Sequence, residues 1–152
     1  EVAFTLNGRA ASARVPPTMT LLSLVRERFG LLGSKLGCGE GECGACAMLL
    51  DGEPVLGCLT PAVAADGREL ATIEGLGAKD GLSTLQRAFV EEGAIQCGFC
   101  TPGMLVSATA LLRENPRPSR EQVCRALEGN LCRCTGYVAI EQAVRRASEE
   151  PK

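Results

Sequence analysis

The apolar positions change period partway along the chain, and the change divides it. Up to about residue 73 the apolar stretches are short and are separated by turn residues. Glu1 to Leu6 reads as a strand, Asn7-Gly8 as a hairpin turn, and Arg9 to Val15 as the returning strand. Thr20 opens a short amphipathic helix running to about Phe29, with Leu21, Leu22, Val25 and Phe29 at helical spacing. Ala47 to Leu50 and Val55 to Cys58 follow as strands joined by a turn at Asp51-Gly52, and Glu69 to Ile73 supplies the last strand. Strands around one helix predict an α+β fold of β-grasp type for this half.

Residues 75–82, GLGAKDGL, carry three glycines and no period, which marks a linker and divides the chain into domains 1–76 and 77–152. Beyond it the period is helical, and one pattern occurs twice. Ser83-Thr84-Leu85-Gln86 and Ser119-Arg120-Glu121-Gln122 are both S-x-x-Q capping boxes, each opening a short helix. Each helix runs into a cysteine pair followed by threonine, Cys97-Gly98-Phe99-Cys100-Thr101 in one case and Cys132-Arg133-Cys134-Thr135 in the other. A second amphipathic helix follows each threonine, through Met104, Ala108, Leu111 and Leu112 and through Ile140, Ala143, Val144 and Ala147. Thr101 and Thr135 are expected as N-caps, with Pro102 at the first helical position. The prediction is four helices in two similar hairpins, a bundle with a pseudo-two-fold repeat.

With 45% hydrophobic and 22% charged residues, the chain has the composition of a folded, soluble protein. It contains four Phe, one Tyr and no Trp, so two small cores must be filled by Leu, Val and Ala and would gain from a bound metal. A net charge of −2 with scattered Lys and Arg excludes a nucleic-acid footprint. No apolar run approaches the ~20 residues of a membrane span. A cytoplasmic location is expected, with export to the periplasm left open because any signal would lie upstream of Glu1.

The nine cysteines, at 38, 43, 46, 58, 97, 100, 124, 132 and 134, carry the chemistry. Their odd number and their close spacing both count against a disulfide framework. Cys38, Cys43 and Cys46 form C-x4-C-x2-C, with Cys58 in the next apolar run, which is the plant-type [2Fe-2S] spacing. Gly37, Gly39, Gly41 and Gly44 let this loop wrap closely around a cluster and point N–H groups at its sulfurs. A four-cysteine zinc site is the competing reading, but zinc sites usually pair two knuckles, whereas here one long loop supplies three ligands. In the second half Cys97, Cys100, Cys132 and Cys134 offer two pairs near helix N-termini, where negative charge is favoured. Zinc and an iron-sulfur cluster both fit that pattern. Cys124 stands outside the pairs on a helix beside Val123 and Leu127, and is expected to be a small buried apolar residue.

Across nearly its whole length the chain resembles the small iron-sulfur subunit of the molybdenum hydroxylases, the xanthine oxidase and aldehyde oxidoreductase family. The stretches GCGEGECGACAMLLDG, AIQCGFCTPGMLVSATALL and GNLCRCTGYVAI carry the resemblance, and Ala47-Met48 departs mildly from the Thr-Val often found there. The resemblance implies a plant-ferredoxin-like domain holding one [2Fe-2S] cluster on Cys38, Cys43, Cys46 and Cys58. It implies a four-helix bundle holding a second on Cys97, Cys100, Cys132 and Cys134. It also implies a large partner subunit with molybdopterin, often as the cytosine dinucleotide, a medium subunit with FAD, and a dimer of such heterotrimers. Gln96 and Cys134 match positions that lie against the pterin. Single electrons would pass from molybdenum through both clusters to FAD. The chain has no histidine, nucleophile-base pair or phosphate loop to support chemistry of its own. From other functional classes, a zinc module with two four-cysteine sites that mediates assembly and a freestanding two-cluster carrier remain as alternatives. The substrate is not legible in this sequence.

Overall fold

The fold is seen in a computed structural model that describes residues 1–78 and 81–150. Strand β1 (Val2–Leu6) pairs antiparallel with β2 (Arg9–Ala13). The turn between them places Asn7 and Gly8 at φ 50° and 77°, the left-handed conformation that a two-residue hairpin requires. A short helix follows, α1 (Leu21–Ser23), capped by the Thr20 hydroxyl accepting from Ser23 N–H at 3.2 Å. Two further hairpin strands, β3 (Ala47–Leu50) and β4 (Glu53–Leu56), and a short β5 (Glu69–Ala71) complete a five-stranded sheet of order β2-β1-β5-β3-β4. β5 is parallel to β1 and antiparallel to β3, so the last strand is inserted between the two hairpins.

Several details of this half differ from expectation: β2 ends at Ala13 and not at Val15, and β5 ends at Ala71 and not at Ile73, which opens a helical turn. The helix expected as one segment to Phe29 widens to a π turn over Leu24–Arg28, which brings Leu24 fully into the core with Leu21, Leu22 and Val25. The strand expected at Val55 to Cys58 is observed at Glu53–Leu56. The Asp51-Gly52 turn occupies only two residues, so pairing resumes at Glu53, and Gly57 and Cys58 are released from the sheet.

Among the described residues the second half has four helices: α2 (Thr84–Glu91), α3 (Thr101–Glu114), α4 (Arg120–Leu127) and α5 (Val138–Glu149). Both capping boxes form with both of their arms, Ser83 with Gln86 and Ser119 with Gln122. Helix α2 packs on α5 and α3 on α4 around Phe89, Met104, Val123, Ile140 and Val144. The expected threonine caps are not observed. Cys100 occupies the N-cap of α3, which makes Thr101 the first helical residue and moves Pro102 to the second. Tyr137 stands at the N-cap of helix α5 without a side-chain cap bond, and the Thr135 hydroxyl, two residues before it, accepts the Tyr137 N–H. Cys124 is exposed, not buried. Val123 and Leu127, four residues apart, fill the core side of α4, which turns the residue after Val123 outward.

Strand β3 joins the halves. Met48 and Leu50 face the first core, whereas Ala47 and Leu49 pack on Val106 of α3, so both faces of the strand are buried. Of the linker expected at residues 75–82, positions 79 and 80 lie outside the described residues.

Candidate metal centres

The loop between α1 and β3 carries the first cysteine group. Gly39, Gly41 and Gly44 take φ 72°, 85° and 69°, values that an L side chain adopts only at a cost. The resulting winding aims backbone N–H groups at sulfur. Glu40 and Glu42 N–H donate to Cys38 Sγ at 3.4 and 3.3 Å, and Cys38 N–H donates to Cys43 Sγ at 3.4 Å. Gly37 is required for space, since a Cβ there would stand 2.6 Å from Cys43 Sγ. Cys58 enters from the turn after β4 and comes near enough to Cys46 to influence its proton affinity.

The second group gathers where the two helical hairpins turn. Cys97 Sγ lies 3.5 Å from Cys134 Sγ, and Cys100 comes near enough to Cys132 for the two thiols to influence each other's proton affinity. All four cysteines line one cavity of about 420 Å³, together with Phe99, Arg133 and Tyr137. The Thr135 hydroxyl lies 3.1 Å from Cys132 Sγ and accepts Tyr137 N–H at 3.2 Å. Tyr137 has φ 69°, an uncommon conformation for an aromatic residue, and its hydroxyl accepts Cys132 N–H at 2.9 Å. Beside Cys100, the buried Thr101 hydroxyl has no hydrogen-bond partner among the described residues.

Proton affinities within each group are split. Backbone N–H groups of Glu40, Cys43 and Glu42 hold the exposed Cys38 thiol down at about 6, whereas burial pushes Cys46 up to about 11. In the second group burial pushes Cys100 up to about 12. Burial also acts to raise Cys132, but the Thr135 hydroxyl and the N–H groups of Thr135 and Cys134 outweigh it and bring the thiol to about 7. Cys97 is lowered by the Phe99 N–H, and Cys134 is raised by its shared hydrogen bond with Cys97. Each group thus sets a thiol of lowered proton affinity beside one of raised affinity, and metal binding would displace the proton from both.

The donor set fits an iron-sulfur cluster. The thiols are grouped two by two, Cys38 with Cys43, Cys46 with Cys58, Cys97 with Cys134 and Cys100 with Cys132. Two pairs are what two irons need.

Of the other residues singled out by sequence, Gln96 is exposed directly before Cys97, and Cys124 lies on α4 outside both groups. Two residues escaped the sequence reading. Tyr137 was hidden because its left-handed backbone has no local signal in a non-glycine residue. Asn130 was hidden because its partner Gly44 is 86 positions away, where its side-chain amide donates to the carbonyl oxygen. Next to it, Leu131 N–H donates to the Cys43 carbonyl oxygen at 2.9 Å, so the two cysteine loops touch directly.

Similarity to known proteins extends over nearly the whole chain. Residues 4–72 match the 2Fe-2S iron-sulfur cluster binding domain family, and residues 72–145 match the [2Fe-2S] binding domain family. The chain is 52% identical over 145 residues to the nicotinate dehydrogenase small FeS subunit of Eubacterium barkeri, covering 95% of this chain and 92% of that one. It is 51% identical over 145 residues to the nicotine 6-hydroxylase small subunit of Paenarthrobacter nicotinovorans, covering 95% and 87% respectively. Among solved structures, quinoline 2-oxidoreductase from Pseudomonas putida 86 superposes with a TM-score of 0.94 at 46% identity, over 97% of this chain and 93% of that one.

Proposed function

The chain belongs to the iron-sulfur subunits of the molybdenum hydroxylases, and from that premise we propose how its cysteines divide the work of carrying electrons. It is an electron-transfer component of an oxidoreductase, not the subunit that transforms substrate. Cys38, Cys43, Cys46 and Cys58 hold one [2Fe-2S] cluster in a β-grasp domain spanning residues 1–76. Cys97, Cys100, Cys132 and Cys134 hold the other in a four-helix bundle with a pseudo-two-fold repeat spanning 77–152. When bound, each cluster supplies a site that takes up and gives back one electron.

The carrying observation is the pairing of eight cysteines into two groups of two pairs, with backbone and hydroxyl hydrogen bonds aimed at their sulfurs. Such hydrogen bonds favour the more negatively charged reduced state and so raise its potential. Gly39, Gly41 and Gly44 supply the curvature that lets the first loop direct its N–H groups inward. The exposed Cys97-Cys134 pair and Gln96 form the face that receives electrons, with Gln96 and Cys134 against the pterin of a large molybdopterin subunit, carried as the cytosine dinucleotide. The first loop passes them on, toward FAD on a medium subunit. Such a complex, a dimer of heterotrimers, works in the cytoplasm. Among the described residues no helix is long and apolar enough to cross a membrane.

Metal and sulfide analysis of the purified complex, with electron paramagnetic resonance of the reduced protein, tests this assignment. Iron and sulfide in equal amounts and two distinct reducible centres on this chain are expected. Colourless protein carrying zinc would overturn it.

A further inference from the structure

Asn130 is 4% exposed and lies between the two cysteine-bearing loops. Both ends of its amide are engaged: Nδ2 donates to the Gly44 carbonyl oxygen at 3.3 Å, and Oδ1 accepts from Ser107 Oγ at 2.8 Å. Each of the three tied segments carries a thiol close by. Gly44 directly follows Cys43, Asn130 precedes Cys132 by two residues, and Ser107 lies on α3, whose N-cap is Cys100. The Leu131 N–H to Cys43 carbonyl bond at 2.9 Å runs alongside as a second clamp.

The junction has no slack. A Cβ at Gly44 would run into the Gly129 carbonyl and the Asn130 amide, and one at Gly103 would stand 3.0 Å from Asn130 Nδ2 and closer still to the Gly44 carbonyl oxygen. An apolar side chain could fill such a space but would leave the Gly44 carbonyl without this donor. A donor and an acceptor at fixed ends of one planar group specify the direction of approach as well as the distance. Buried polar groups of this kind serve best as registry devices.

We propose that Asn130 is a positioning residue for electron transfer, which sets the separation and mutual orientation of the two cysteine groups. The proposal rests on the reading that each group holds a cluster. In the purified complex, metal and sulfide analysis counts the centres, and the magnetic splitting between the two reduced centres reports their separation and orientation. Pulsed reduction reports the passage of one electron between them. Asn130→Ala is expected to keep both centres, alter the splitting and slow the passage. A merely structural role would lower the melting temperature and leave the splitting of the folded protein at its wild-type value, and that result overturns the proposal. If Asn130→Ala does not fold, Ser107→Ala decides, because it removes one anchor of the amide and leaves the amide in place. An altered splitting in Ser107→Ala supports the proposal, and an unchanged one defeats it. Fewer than two iron-sulfur centres in the wild type would instead reject the cluster assignment, before any substitution is made.

Discussion

Gly103 on α3 faces the carbonyl oxygen of Gly44 so closely that a Cβ would fall well inside van der Waals contact. In an open helix, replacing glycine by alanine stabilises by about 1 kcal/mol. Here the added methyl must push α3 away from the first cysteine loop, and overpacking of that kind costs roughly 1–3 kcal/mol. The clash wins, so Gly103→Ala is expected to melt below wild type. Gly129, next to Asn130 but with open space around its missing Cβ, should accept alanine with a change within about 0.5 kcal/mol. Thermal melts of the two variants check the pair, and a Gly103→Ala protein at least as stable as wild type would show that the loops do not meet as described.

The two capping boxes give a second expectation. Ser83 and Ser119 each accept from the backbone N–H three residues on at 3.3 Å, and Gln86 and Gln122 each return a bond of 2.8 Å to the cap N–H. Removing the hydroxyl strips one orphan donor of its partner, at a cost of about 1 kcal/mol. Ser83→Ala and Ser119→Ala should therefore lower the denaturant midpoint by similar amounts without changing the slope of the transition. A cost at one cap alone would break the equivalence of the two hairpins.

These boxes were legible in the sequence because all their parts lie within four residues. The same holds for the Asn7-Gly8 and Asp51-Gly52 turns, whose left-handed residues are named by their type. The spacing of Cys38, Cys43 and Cys46 is local too, and of its four loop glycines Gly39, Gly41 and Gly44 take positive φ, whereas Gly37 does not and is needed for space beside Cys43. What sequence could not give depends on contacts from far away. Phase along a helix is one example: a single step of 100° separates core Val123 from exposed Cys124, and only the position of α5 and α3 fixes which side is inside. Cap identity is another, since Thr135 is committed to Cys132 and Tyr137 and not to a helix end. Asn130 is the extreme case, an ordinary loop residue until its partner across the junction is known.

Glu74 gives a pH expectation. Partial shielding of its carboxylate acts to raise its proton affinity, but the Thr72 hydroxyl at 2.6 Å and the Gly33 N–H at 2.8 Å outweigh this and hold it below the ordinary 4.5. A carboxylate lowered on folding stabilises the fold above its unfolded value, and that contribution is lost as pH falls through the folded value. Glu74→Gln should therefore be less stable than wild type at pH 7, and the difference should shrink as the pH is taken below about 4.5. Denaturation midpoints of both proteins between pH 3 and 7 measure it. A gap that widens on acidification would show that the carboxylate is not the stabilising species.

The cysteines provide the most direct test of the division into sites. Cys100 is half-buried, its thiol is pushed up to about 12 by burial, and it touches Cys132 inside the second group. As a ligand it can be replaced by serine only with loss of soft thiolate character, so Cys100→Ser should remove about half of the bound iron and sulfide and one of two paramagnetic signals. The other signal should survive, because Cys38, Cys43, Cys46 and Cys58 hang on their own loop and on the turn after β4. The clamp at Asn130 nevertheless joins the two loops, so the surviving signal is expected with a reduced melting temperature. Cys124 makes the control. It is exposed on α4 and belongs to neither group, so Cys124→Ser should keep the full iron content, both signals and the wild-type melt. Loss of either signal in Cys124→Ser would mean that one of the eight assigned cysteines is not a ligand. Loss of both signals in Cys100→Ser would mean that the first loop cannot hold its metal without the second.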